Sequence, residues 1–298
     1  MCAGRRHTYT RPFAEASWGV GRVVAGTNFP RAFDTTPLCC PSRASVFTGQ
    51  YTHNHGVRDT VSAELMDQST TVQRYLRESG YRTAIAGKYL NHWDMAVPPP
   101  HFDRWAVFSG DPGKDGHYQE DWNLDGSRRT LPGYTTTIIT KKSLRFLDDF
   151  EGDDDRPWLF VFPYAPHPPF EAEPKYRKAS PPRWSGNPAV FEKRLGDKPP
   201  WLRLRAKSPA EGRKARTGQF RTLLSVDDMV GSIFGKLNEL GEARSTMAFY
   251  LSDNGFMWGE HGIVNKRHPY LPSVRTPSSC AGPERSREGR RIEGWWRT

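Results

Sequence analysis

The sequence predicts an α/β fold, a mostly parallel central sheet covered by helices. Short apolar runs of strand length alternate with segments of helical spacing. In addition, Lys88, His167 and Asp253 each follow the end of a predicted strand. In parallel sheets, ligands bind outside the carboxyl ends of the strands, so three polar residues at one rim mark a site.

The elements follow in order. Pro41 near a first turn and Gly49 as a stop predict a short helix over 41–48. Ser69 or Thr70 caps a second helix carrying Val72, Tyr75 and Leu76, which Gly80 ends. Residues 81–86 read as a strand with Gly87-Lys88 at its end. Ile138, Ile139, Leu144 and Leu147 predict a helix over 134–150, and 158–162 a buried strand bounded by prolines. Residues 171–215, rich in Pro, Arg and Lys, read as loop. Phe220, Leu223, Val226, Val230, Phe234 and Leu237 give a helix stopped by Gly241. A strand over 247–251 leads into the turn Ser252-Asp253-Asn254-Gly255.

Composition bounds the function. With 298 residues there is room for one large α/β domain or two small ones, and 27 Gly with 25 Pro indicate a loop-rich enzyme. A net charge of +10 favours anionic partners. Between Trp201 and Arg221 stand seven Arg or Lys residues and one acid, a stretch that reads as loop or linker and not as a folded basic face. No helix-turn-helix, zinc-finger or RNA-binding signature accompanies the charge, so nucleic acid is not expected as a partner. The four cysteines, Cys2, Cys39, Cys40 and Cys280, form no disulfide framework and no CxxC zinc pattern. No apolar run has signal-peptide or transmembrane length and no Asn-x-Ser/Thr acceptor is present, so no export signal and no membrane partner are expected of the chain as written.

The most specific segment is Thr36-Pro37-Leu38-Cys39-Cys40-Pro41-Ser42-Arg43-Ala44-Ser45-Val46-Phe47-Thr48-Gly49. It resembles the C-x-P-S-R…T-G signature of type I sulfatases, and the resemblance runs with gaps from about Phe33 to Pro277. The resemblance implies an alkaline-phosphatase-like α/β sandwich and a Cys39 oxidised to formylglycine by a formylglycine-generating enzyme. The hydrated aldehyde is a geminal diol: one hydroxyl attacks sulfur and displaces the alcohol, and the second lets the sulfated adduct collapse with release of sulfate. A helix N-terminus at this point adds N–H donors for sulfate oxygens. Arg43, four residues on, can hold the diol or a sulfate oxygen.

Other segments extend the resemblance. Gly87-Lys88-Tyr89-Leu90-Asn91 is similar to the Gly-Lys segment whose lysine contacts sulfate, with a continuation like that of N-acetylglucosamine-6-sulfatases. Many arylsulfatases carry His two residues after that Lys; here Leu90 stands there, leaving Asn91 or His92 as unassigned substitutes. Ala165-Pro166-His167-Pro168-Pro169-Phe170 resembles the segment whose histidine contacts the ester, where a proton can pass to the leaving oxygen. Ser252-Asp253-Asn254-Gly255 with Gly259-Glu260-His261-Gly262 resembles the block whose Asp and Asn bind calcium, so Asp253, Asn254 and residue 39 are the expected ligands of one Ca2+. Lys266 and Arg275 match the next segment, where the lysine contacts sulfate.

The chain also departs from the family. No opening strand with an Asp-Asp pair is found, and Glu15 is the only acid before Asp34. Residues 1–30 and 278–298 are therefore expected to be atypical ends around an incomplete catalytic domain at 31–277, with a gap or exposed sheet edge where the first strand is lacking and a C-terminal domain missing. The resemblance implies hydrolysis of sulfate esters, of a sulfated sugar such as 6-sulfated N-acetylglucosamine in a glycosaminoglycan. The rivals are phosphate or phosphonate ester hydrolysis on the same core, and an inactive fragment that binds anionic polysaccharide. With few calcium ligands, the chain as written is expected to be a poor catalyst or none.

Overall fold

The computed structural model describes residues 26–110, 116–118, 120–151, 156–203, 208–282 and 296–297. Strand β3 (Tyr81–Lys88) is its centre and is flanked in parallel by β4 (Arg104–Phe108) and β7 (Arg156–Phe162). The hairpin β5 (Asp121–Leu124) and β6 (Ser127–Thr130) extends the β4 side antiparallel, giving the order β6-β5-β4-β3-β7. The central sheet is thus mixed: a parallel trio carrying an antiparallel ribbon.

Side-chain alternation makes the sheet two-faced. Ile85, Val107, Phe160 and Phe162 point to one face, where they pack with Cys40, Ala44, Phe47, Tyr89 and Leu90. Ala84, Ala86, Ala106 and Phe108 point to the other, against Ile139, Phe146, Val226 and Met229. Helices α1 (Cys39–Thr48) and α2 (Val72–Glu78) lie on the first face. Helices α3 (Thr135–Asp149) and α4 (Pro209–Glu239) cover the second and pack on each other.

Gly49 ends α1 in the left-handed conformation, as its position predicts, and its N–H donates to the Ser45 carbonyl. Helix α1 opens two residues before the predicted start, so Cys39 is its first residue. Helix α4 opens eleven residues before Phe220. Ser208 and Glu211 form a reciprocal capping box, with Pro209 at the first position. The basic stretch read as loop is therefore helical from Pro209 onward.

Strand β2 (Ala32–Phe33) pairs in parallel with residues 296–297. A second, three-stranded sheet joins β1 (Thr27–Asn28), β9 (Ser278–Ala281) and β8 (Ala248–Leu251) in that order, all antiparallel. The boundaries expected at residues 30 and 277 thus cut through a sheet: β1 and β9 belong to the folded body. The rest of both expected end segments, with Cys2, lies almost wholly outside the described residues. Among the described residues no strand pairs with the outer edge of β7 or of β8. A largely apolar cavity of about 800 Å³ separates them, lined by Leu159, Val161, Phe249, Leu251, Met229 and Ile233 among others. This gap is why β7 is only half-buried while β3 beside it is buried from Thr83 onward.

Gly87 fixes how β3 delivers its last residue. Its φ is +113°, and a Cβ there would stand 2.0 Å from the Phe162 carbonyl oxygen of β7. Gly87→Ala should cost about 3 kcal/mol or more, since strain and a backbone clash add. A urea midpoint indistinguishable from wild type would contradict this contact.

Candidate active site

One end of the cavity is polar, and it gathers residues from five segments. Cys39 enters at the start of α1. By helix geometry, the N–H groups of Cys39 and Cys40 have no partner within the helix. The two adjacent thiols part company: Cys40 is fully buried in the core beneath α1, where burial pushes its pKa up to about 11. Cys39 lines the cavity, and Lys266 Nζ donates to its Sγ at 2.7 Å. Lys266 also reaches Asn254 Oδ1 at 3.3 Å.

Arg43, one helical turn after Cys39, is 6% exposed. Its Nε donates to Asp253 Oδ2 at 2.8 Å and its Nη1 to the Lys88 carbonyl at 2.6 Å. Its guanidinium also lies 4.9 Å from the centre of the Phe162 ring. Lys88 is 2% exposed and its pKa is lowered, first by burial and then by Arg43 and Lys266 against the opposing Cys39 and Asp253. Burial raises the pKa of Asp253, but Arg43, Lys266 and Lys88 outweigh it and hold the carboxyl at about 2.

His167 lies on the loop after β7. Burial, with Lys266 and Lys88 adding to it, lowers its pKa to about 3, so its ring is neutral near pH 7. Its Nδ1 is 2.6 Å from the Pro168 carbonyl, which only accepts, so Nδ1 carries the proton and Nε2 is the acceptor. The expected proton donation therefore requires the ring to be protonated first. A bound anion would favour that form.

Cys39, Arg43, Lys88, His167, Asp253, Asn254 and Lys266 all line the one cavity. Asn91 and His92, the possible substitutes after Lys88, do not: Asn91 is buried and His92 is exposed, and neither lines it. Glu260 and His261 serve the loop below. Glu260 accepts from Asn187 and from the Trp258 N–H, and His261 pairs with Glu192 at 2.5 Å. Arg275 donates to the Pro30 carbonyl at 2.9 Å. Two site residues carried no sequence signal. Tyr164 packs at 4.7 Å against the His167 ring and lies 5.7 Å under Lys88 Nζ. His117 Nε2 donates to the His167 carbonyl at 3.0 Å.

A hard cation takes about six to eight oxygens. Among the described residues beside Cys39, the side-chain oxygens of Asp253 and Asn254 are engaged, the first by Arg43 and the second by Lys266. No group of three His, Cys, Asp or Glu suited to a metal occurs among the described residues. They do not by themselves fit a calcium ion. Three cations around one carboxylate fit an anion instead.

Comparison with known proteins places this arrangement. The sulfatase family model matches residues 9–291. The chain belongs to the sulfatase family. The match runs past the expected 31–277 in both directions, in keeping with β1 and β9 being part of the fold. The chain is 30% identical over 282 residues to the human N-acetylglucosamine-6-sulfatase, covering 87% of this chain and 51% of that protein. It spans about half or less of the length of this and two further curated sulfatase relatives. A solved structure in complex with its substrate D-glucosamine-2-N,6-O-disulfate superposes with a TM-score of 0.74 at 22% identity, covering 93% of this chain and 68% of that one. A phosphonate monoester hydrolase of Agrobacterium radiobacter gives a TM-score of 0.67 at 19% identity over 96% of this chain and 66% of that one. The alkaline-phosphatase-like fold is shared by sulfatase structures and this chain. No helix among the described residues is long and apolar enough to cross a membrane.

The depressed pKa of His167 has a signed consequence. An ordinary imidazole takes a proton near pH 6.5, while His167 holds off until about 3. Between these values the unfolded chain binds a proton that the folded chain does not, so His167 lowers stability as pH falls. Wild-type urea midpoints should fall more steeply than those of His167→Asn over this interval. Parallel profiles would contradict a buried neutral ring.

Proposed function

We propose that the chain hydrolyses sulfate esters through a formylglycine at position 39, acting on a sulfated sugar such as N-acetylglucosamine 6-sulfate within a glycosaminoglycan. The observation that carries this is Cys39 Sγ at a helix start, 2.7 Å from Lys266 Nζ, in the cavity that Lys88 and His167 also line. Oxidised and hydrated, residue 39 supplies a geminal diol, with one hydroxyl as nucleophile toward sulfur and a second that permits release of sulfate. A formylglycine-generating enzyme is the partner this requires.

The chain's own residues do the rest. Lys88 and Lys266 bind sulfate oxygens, and their charges orient the group toward residue 39. Arg43 holds Asp253 and the end of β3 in place behind them. Once an anion occupies the site, His167 takes a proton on Nε2 and donates it to the leaving oxygen. Calcium, the ion expected from the resemblance, finds two engaged side chains among the described residues, so no step here is routed through it.

Four outcomes test this reading. After co-expression with a formylglycine-generating enzyme, peptide mass spectrometry should find the aldehyde at Cys39; an aldehyde at Cys40, or none in folded protein, sinks the assignment. In converted protein, Lys88→Ala, His167→Ala and Lys266→Ala should each lower kcat/KM by about 10²-fold or more, about 3 kcal/mol of transition-state stabilisation. Assays of matched sulfate, phosphate and phosphonate esters should show preference for sulfate. With calcium titrated in, turnover of this chain should stay well below about 1 s⁻¹, because the described residues offer the ion too few ligands. Turnover at or above that rate would show that ligands are supplied from elsewhere.

A further inference from the structure

The basic stretch of the sequence has no role in the site, yet the fold gives it a position. The loop that leaves the active site after His167 turns back over the first half of α4. Phe170 packs against Gly218, where an added Cβ would stand 2.4 Å from it. Arg221 Nε donates to the Ala179 carbonyl at 2.8 Å. Further along, Arg216 sits between two rings, 5.6 Å from the centres of both Trp184 and Trp258. These contacts clamp residues 170–184 onto helix positions 216–221.

The clamp brings two basic sets to one surface. Arg177, Lys178 and Arg183 come from the loop and Arg213 and Lys214 from the helix; all five are exposed. None of the five has an acid within ion-pair distance among the described residues. Of the acids nearby, Glu211 caps α4, Asp228 holds Lys175 and Tyr176, and Glu173 accepts from Ser225 and Thr137, while Glu171 on the same loop is exposed. The surface adjoins the site, because Trp258 and Gln219, which bond each other at 2.6 Å, line the same cavity as Cys39.

We infer that this face is a binding surface for a sulfated polysaccharide chain, separate from the sulfate that reacts. The choice of glycan rests on the proposed function; the cationic surface rests on geometry alone. Unpaired exposed cations on a rigid support attract a polyanion and release its counterions on binding, and they do so in a salt-dependent way. A long sulfated chain held here would present successive esters to the cavity and gain from two points of attachment.

Binding is measured with unconverted Cys39 protein, so no catalysis is needed. The probes are heparin, uncharged dextran and a single-stranded oligonucleotide of matched charge, each over a range of salt. Heparin should bind, weaken as salt rises, and bind more tightly than the oligonucleotide. In Arg177→Glu/Lys178→Glu/Arg213→Glu/Lys214→Glu its affinity should fall by about tenfold or more, a change of about 1.4 kcal/mol, with a shallower salt dependence. In converted protein, the same variant should turn over a monosaccharide sulfate at the wild-type rate but a polysaccharide with raised KM. Unchanged heparin affinity in a variant of normal thermal stability overturns the surface. Tighter binding of the oligonucleotide overturns the glycan assignment. Loss of monosaccharide turnover in both proteins, with heparin binding intact, would instead overturn the catalytic reading and leave the surface standing.

Discussion

One buried guanidinium ties the site together. Arg43 leaves α1 and bonds Asp253 beyond β8 and the main-chain carbonyl of Lys88 at the end of β3. Helix, central sheet and second sheet meet on that side chain. A planar group with several fixed donors can make these bonds at once, which a lysine ammonium could not do in the same geometry. Because Arg43 lies one turn after Cys39, the same bonds set where the start of α1 points. Cys39, the end of β3 at Lys88 and the Asp253 turn are thus placed by one residue whose own charge is matched by Asp253.

Among the described residues, that match leaves Lys88 and Lys266 without a carboxylate of their own. Both face Cys39 and His167 across the polar end of the cavity, where burial first, and repulsion among the cations after it, lowers the pKa of Lys88 and keeps the His167 ring neutral. An anion relieves that repulsion, so the ligand completes the charge balance of the site. The apolar remainder of the cavity, between the open edges of β7 and β8, is a separate matter. It holds no charge and accounts for the half-exposed strands on either side.

Much of this was legible in the sequence, for identifiable reasons. The 36–49 segment carries the family's C-x-P-S-R…T-G pattern and helix signals at Pro41 and Gly49, with the helix itself opening two residues earlier at Cys39, and Lys88, His167 and Asp253 follow strand ends, where ligands bind in α/β sheets. All seven expected site residues converge on one cavity. What was not legible depended on tertiary contacts. β5 and β6 are short and polar or charged, as in Arg128 and Arg129 of the exposed β6 strand, so no apolar run announced them, and the short apolar run 105–108 of β4 becomes a strand by pairing with β3. β9, with its Ser-Ser-Cys-Ala sequence, exists because β8 and β1 pair with it. Helix α4 was under-read because the arginines and lysines at its start outweighed the Ser208–Glu211 capping box, which was present in the sequence. Tyr164 and His117 reach the site only through the fold of the loop around His167.

The account's central claim is that Lys88, held by Arg43, and Lys266 form a ready-made anion site around residue 39. The most direct test is titration of sulfate into unconverted protein, followed by calorimetry and by thermal unfolding at constant ionic strength. The account predicts saturable binding with a rise in Tm that chloride does not reproduce, and loss of both in Lys266→Met while the fold is kept. Equal effects of sulfate and chloride, or undiminished sulfate binding in Lys266→Met, would contradict it.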